Sequence, residues 1–247
     1  MTHPLSTVLE SMSDDETAAR IQKHTRPLRG VRGVAQGALA TVITERIASV
    51  PPRLPEDGDA LTELFGAAWE DGLAAIGLLA VGVGDDPAAA LALGLDWADR
   101  TDDVTTADAL GWLVLGPAAA ALPDGVAEVL ETLGSHRRAE TRRAAAAIGL
   151  AFTPEEVEGP AAAGLRARHG TRALRMVDAP VVPVLSAVIR RFVRDTAPPV
   201  QKVLRRIVRV WVDADPDSAV AWAPTVPGGL PKLLGTEIAR ARGRKAR

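Results

Sequence analysis

The chain has 247 residues, 47% of them hydrophobic, and a formal net charge of -2. This is enough apolar material for one large folded domain or two small ones and far from the composition of a disordered chain. The absence of cysteine excludes disulfides and thiolate metal sites. No run of about 18 uncharged apolar residues occurs, and the polar, acidic start MTHPLSTVLESMSDDE lacks the order of a secretory signal, so a cytoplasmic protein without a membrane span is expected.

Helical periodicity dominates from one end to the other, and no segment alternates with the period of two that a half-buried strand needs. The predicted class is all-α. Helices are expected over 5–23, 35–48, 59–68, 70–81, 86–97, 106–115, 124–133, 136–151, 180–195, 199–213 and 229–243. PPRLPEDGD (51–59), GVGDDP (82–87), Gly116-Pro117, LPDG (122–125), LGS (133–135), TPEE (153–156) and APP (197–199) punctuate them. Short connections between helices of two to four turns suit antiparallel pairs. Stacked, such pairs form a HEAT-like solenoid running through one domain, 1–247, although no fixed repeat length is visible. A compact helical bundle is the alternative. The alanine-rich, arginine-rich composition suits a GC-rich genome, in which many alanines reflect codon bias.

Charge is segregated along these helices. Residues 1–134 carry a formal charge of -13 and residues 135–247 one of +11. Such a chain can show a basic surface to a polyanion while its total stays near zero. The plainer explanation is that the halves attract each other or a second protomer.

DDVTTADALGWLVLGP (102–117) sets Asp102, Asp103 and Asp108 before an apolar helix that is expected to end at Gly116-Pro117. Thr105-Thr106-Ala107-Asp108 reads as a capping box, with Thr105 as N-cap and Asp108 at the third helical position. Further on, SHRRAETRRAAAAIGL places Ser135 as an N-cap and Arg138 and Arg142 one turn apart on a shared face. The helix over 180–195 turns Arg190, Arg191 and Arg194 outward. In PPVQKVLRRIVRVWV, Val200, Val203, Leu204, Ile207, Val208 and Trp211 form one buried stripe, while Lys202, Arg205, Arg206 and Arg209 form a cationic row opposite. Like charges at that spacing repel unless an anion or acidic side chain faces them. Arginine forks match phosphate oxygens, so rows about a turn apart can follow the backbone of duplex DNA.

Other chemistry is poorly represented. No phosphate loop, zincin motif, EF-hand or nucleophile elbow is present. Gly82-Val83-Gly84 reads as a turn, and the four histidines are too scattered in sequence to suggest a metal site. Neither a cofactor nor a metal is expected. Trp69, Trp97, Trp112 and Trp222 read as core residues.

Four segments in order resemble the AlkD-type alkylpurine DNA glycosylases, a HEAT-like repeat family. LTELFGAAWEDGLAAIGLLA (61–80) is similar to an early helical pair of that family. DDVTTADALGWLVLGP is similar to its Trp-Asp-Thr-Val-Asp segment, ETRRAAAAIGLAF to its Arg-Arg-x-Ala helix, and VQKVLRRIVRVWVDADPDSAV to its late Gln-Lys helix with the Asp-Pro sequel. The resemblance implies a catalytic carboxylate at Asp108, which would stabilise positive charge developing on the deoxyribose. It implies a functional arginine at Arg142, or at Arg143 if the register shifts by one. It also implies two tryptophans against the sugar, but this chain has Val104 and Arg206 in their places. Three readings therefore stand. One is a DNA glycosylase acting on cationic alkylated purines, with Asp108 as catalyst and Arg138, Arg142, Arg143, Lys202, Arg205, Arg206 and Arg209 as backbone contacts. The second is a DNA-binding relative without catalysis, associated with the nucleoid in a bacterial cell. The third is a helical scaffold whose arginine rows meet an acidic protein.

Overall fold

Fifteen α-helices follow from this pattern in a computed structural model that describes residues 3–170 and 175–245. Apart from an isolated bridge between Glu156 and Arg175, no strand occurs among them. The segment 5–23 is two helices rather than one, α1 (Pro4–Ser11) and α2 (Asp15–Thr25). Asp14 between them is extended, and its carboxylate accepts from the Thr17 amide at 2.7 Å. Its own amide donates to the Arg32 carbonyl at 3.0 Å, so a long-range bond stops one helix while the side chain starts the next.

Next come α3 (Gln36–Ser49), α4 (Gly58–Gly66) and α5 (Trp69–Gly82). Every residue of α5 is buried, including Glu70 and Asp71. These two carboxylates hold the loop before α3. Glu70 accepts from the amides of Arg32, Gly33 and Val34, and Asp71 pairs with Arg32 at 2.6 Å. Buried charges thus have partners on a segment that has no regular hydrogen bonding of its own.

After α6 (Pro87–Arg100), α7 (Val104–Leu110) runs through a π-helical turn at Gly111–Leu115 into α8 (Gly116–Ala121). The expected stop at Gly116-Pro117 does not occur. The Gly116 amide bonds five residues back to the Gly111 carbonyl, and the wider turn delivers Pro117, which has no N–H to place, into the first turn of α8. Val104–Ala121 is long and apolar enough to cross a membrane by length and composition, yet most of it is covered by protein. It is a core helix.

The chain continues through α9 (Gly125–Leu133) and α10 (Ala139–Ala151). The alanines of α10 have a packing role beyond any codon bias. A Cβ on Gly111 would lie 2.3 Å from the Ala144 carbonyl oxygen and 2.6 Å from the Ala147 methyl. One on Gly116 would lie 2.6 Å from the Ala151 methyl. Glycine on one helix and alanine on the other let the two backbones approach closely, and this approach brings α10 to the face of α7 that carries Asp108. Ser135 does not cap α10: Arg138 is the N-cap residue, and the Ser135 hydroxyl accepts instead from Arg191.

The remaining helices are α11 (Ala163–His169), α12 (Val182–Phe192), α13 (Pro198–Ala214), α14 (Pro216–Trp222) and α15 (Lys232–Lys245). Both α11 and α14 are too short to show a period, but α14 carried a local signal. Pro216 opens it and Asp215 accepts from the Ser218 amide at 3.1 Å. The stripe on α13 is buried as its spacing predicts, with Leu204, Ile207 and Trp211 fully covered. The helix packs on α10 and α15.

Candidate active site

The three aspartates before and within α7 have three different jobs. Asp102 accepts from the amides of Leu28 and Arg29 at 2.8 and 3.0 Å and from Arg29 Nε at 3.3 Å. Asp103 is the N-cap, accepting from the amides of Thr105 and Thr106 at 2.8 and 2.9 Å and from the Thr106 hydroxyl at 2.6 Å. The capping box centred on Thr105 is therefore corrected: the cap lies two residues earlier. Arg29 explains the choice, because it donates to the Thr106 hydroxyl at 3.2 Å and the Phe65 carbonyl at 2.6 Å. The start of α7 is thereby held to α4 with Asp102 and Asp103 around one cation.

Asp108 is left free of any capping task. It is the fifth residue of α7 and shares a face with Val104 four residues before and Trp112 four after. Arg143 on α10 grips it with a two-pronged pair, Nε to Oδ1 and Nη2 to Oδ2, both 2.7 Å. The third nitrogen of Arg143 donates to the Pro199 carbonyl in the first turn of α13, so one guanidinium ties α7, α10 and α13 together. The Asp108 side chain keeps 20% of its surface exposed. That remaining surface faces a cavity of about 340 Å³ lined by Val104, Thr105, Asp108, Trp112, Glu158 and Arg206 among others. The size suits a small-molecule site.

Of the two arginines that could match the family's functional position, it is Arg143 that meets Asp108. Arg142 points to Asp195, with Nε 2.6 Å and Nη2 3.2 Å from its oxygens, and also donates to the carbonyls of His136 and Arg137. Burial pushes the Asp195 carboxyl up, but the hydrogen bonds from Arg142 and the Ala197 amide, with the Arg142 charge, hold it below the ordinary value. The hydrogen bond to Asp195 in turn raises Arg142.

Half of the cationic row on α13 is neutralised from other helices and loops. Arg205 pairs with the buried Glu237 at 2.7 Å and Arg206 with Glu155 at 3.0 Å. Arg138 donates to the carbonyls of Asp99 and Thr101. Lys202 and Arg209 are exposed and pair with no carboxylate among the described residues. Of the seven basic candidates, the structure thus gathers Arg143 and Arg206 at the cavity region and ties Arg138, Arg142 and Arg205 into separate networks.

Trp112 and Glu158 are among the lining residues that the sequence reading did not assign to a site. Trp112, read only as core, is buried but lines the cavity, and the Arg206 guanidinium lies 4.7 Å from its ring centre. Its spacing of four from Asp108 was the available signal. Glu158 sits in a loop between α10 and α11 and had no signal in the sequence. Among the described residues no three His, Cys, Asp or Glu side chains are grouped as a metal site would require.

A family model described as "DNA alkylation repair enzyme" matches residues 5–167, a span that includes Asp108, Arg143 and Glu158. The chain belongs to the DNA alkylation repair enzyme family. A solved structure described as a predicted DNA alkylation repair enzyme from Enterococcus faecalis is similar in fold, with a TM-score of 0.65 and 12% identity over 92% of this chain and 95% of that one. No curated protein matches the sequence. Membership of the DNA alkylation repair family agrees with the resemblance carried by the four segments and with the all-α, helical-repeat architecture.

Proposed function

We propose that this protein binds duplex DNA and hydrolyses the N-glycosidic bond of cationic alkylated purines in the cavity beside Asp108. The observation that carries this reading is a carboxylate fixed by Arg143 at the edge of a base-sized cavity, in a chain of the DNA alkylation repair family. Alkylation gives the purine a positive charge. Breaking the bond to C1′ sends its electrons to the base, which leaves neutral, and positive charge passes to the sugar. Asp108 is placed to stabilise that charge, and water adds at C1′ with loss of a proton. Arg143 keeps the carboxylate oriented, since both its oxygens are held by one guanidinium. Lys202 and Arg209 are available for DNA phosphates, and Arg206 can exchange Glu155 for one.

A second reading is DNA binding without hydrolysis. Val104 and Arg206 stand where the family resemblance implies tryptophans, and Arg143 already engages both Asp108 oxygens. The scaffold reading rests on the arginine rows alone, most of which already face acceptors within the chain, whereas the DNA readings also have the family match behind them. Incubation with randomly methylated duplex DNA separates the two surviving readings. Release of methylpurines by the wild type supports hydrolysis, and retention of DNA binding without release supports the second.

A further inference from the structure

We infer that the C-terminal half of α2, through Arg20 and Lys23 with Arg26 just beyond, holds the DNA backbone beside the cavity. This rests on the duplex-binding reading and extends its footprint onto a helix of the acidic half. The sequence concentrates cations there. Of the eight lysines and arginines in residues 1–134, five lie between 20 and 32, and no aspartate or glutamate occurs from 17 to 44. Two of the five are used internally: Arg29 meets Asp102 and Asp103, and Arg32 meets Asp71. Arg20, Lys23 and Arg26 are exposed, and no carboxylate among the described residues pairs with them. Asp14 at the start of α2 bonds to the Thr17 amide rather than to Arg20.

Like charges about a turn apart repel, and α13 shows how this chain relieves them: Glu237 and Glu155 come to Arg205 and Arg206 from other segments. No such partner among the described residues reaches α2. Its carbonyl end favours Lys23 in the last turn, but Arg20 lies about a turn earlier and faces a groove. The cluster is therefore open to an anion from outside the chain.

The groove identifies the anion. It measures about 440 Å³, with Arg20 and His24 of α2 on one side and Ala35 and Gln36, at the start of α3, on the other. Gln36 also lines the cavity beside Asp108. The helix α5 contributes a buried residue to each, Trp69 to the groove and Leu73, one turn on, to the cavity. Groove and cavity are thus neighbouring parts of one channel. A nucleotide in the cavity continues into its own phosphates, and a strand leaving toward α2 meets cations there instead of the acidic charge that prevails in this half of the chain. That continuity selects a nucleic-acid strand over an acidic peptide.

The test is fluorescence anisotropy of a labelled duplex of mixed sequence, titrated with the full chain over a range of salt. The double variant Arg20→Gln, Lys23→Gln removes two exposed charges, and glutamine suits a helix, so its melting temperature should match the wild type. It should bind about tenfold more weakly at roughly 0.1 M salt and flatten the salt dependence by about two counterions. Arg53→Gln removes an exposed cation beyond the far end of α3, a helix about 20 Å long, and should leave the slope unchanged. An unchanged slope in the double variant, or a change per charge as large in Arg53→Gln, would overturn the inference. Failure of the parent reading looks different. Duplex binding that loses salt dependence in Lys202→Ala and Arg209→Ala but not in the α2 variant upholds duplex binding and defeats the role of α2 alone. A wild type that binds poly-glutamate through α2 and no duplex at low salt defeats both, and gives the cluster to an acidic protein.

Discussion

Replacing Asp108 by asparagine should destabilise this protein, which is the opposite of what removing an isolated active-site charge usually does. The difference comes from Arg143. In the native pair each carboxylate oxygen accepts one charge-assisted bond of 2.7 Å, and the two side chains are 20% and 10% exposed. Asparagine keeps one acceptor and turns an NH₂ toward the other guanidinium donor. One such bond to a charged group contributes about 1.5–3 kcal/mol, and leaving the arginine partly unpaired adds a penalty that the residual exposure reduces. A net loss of about 2 kcal/mol is expected, or roughly 4–8 °C in melting temperature for a chain of this size. Calorimetry on Asp108→Asn, Arg143→Gln and the double variant measures the pair directly. The coupling energy should be about 1.5–2 kcal/mol. An Asn variant that melts within about 1 °C of the wild type, or a coupling near zero, would refute the claim that Arg143 holds the carboxylate in place.

The other expectations follow from single contacts. Gly111→Ala should lower stability by about 2 kcal/mol or more in urea denaturation, because its methyl would sit 2.3 Å from the Ala144 carbonyl oxygen on the helix that carries Arg143; a loss below about 0.5 kcal/mol would contradict the close packing of α7 and α10. The lowered Asp195 carboxyl gives a pH-dependent contribution that is present above the unfolded value near about 4 and is lost as pH falls through the folded value. Asp195→Asn should therefore cost roughly 1–2 kcal/mol at neutral pH and flatten the acid limb of the stability profile, whereas parallel profiles would contradict the assignment. Lys202→Ala and Arg209→Ala should each weaken duplex binding at every sequence and flatten its salt dependence by about one counterion; an unchanged slope would remove α13 from the DNA surface.

The class and the long helices were legible because their signal is local. The stripe from Val200 to Trp211 needs only the helical period, and its residues are buried as that period requires. Legibility ended where a distant residue decided the outcome. Asp103 and Thr105 both offered a cap for α7, and the Arg29 contacts with Asp102 and Thr106, from more than seventy residues away, accompany the choice of Asp103. The arginine rows looked free because their partners Asp195, Glu155 and Glu237 come from other parts of the chain. The choice between Arg142 and Arg143 depended on how closely α10 approaches α7, which the glycine and alanine pairs set. Glu158 was silent for the same reason: its place at the cavity depends on the path of a loop and on the left-handed turn at Gly159.

The most direct test of the account is single-turnover release of 7-methylguanine and 3-methyladenine from methylated duplex DNA by the wild type and by Asp108→Asn, with both proteins saturating the DNA and kept well below their melting temperatures. The account predicts measurable release by the wild type and a fall of about a hundredfold or more in the Asn variant, with DNA affinity kept or raised because a negative charge near the phosphates is removed. Release at equal rates by both proteins would contradict a catalytic Asp108, and no release by a wild type that binds the duplex would leave DNA binding as the function of this fold.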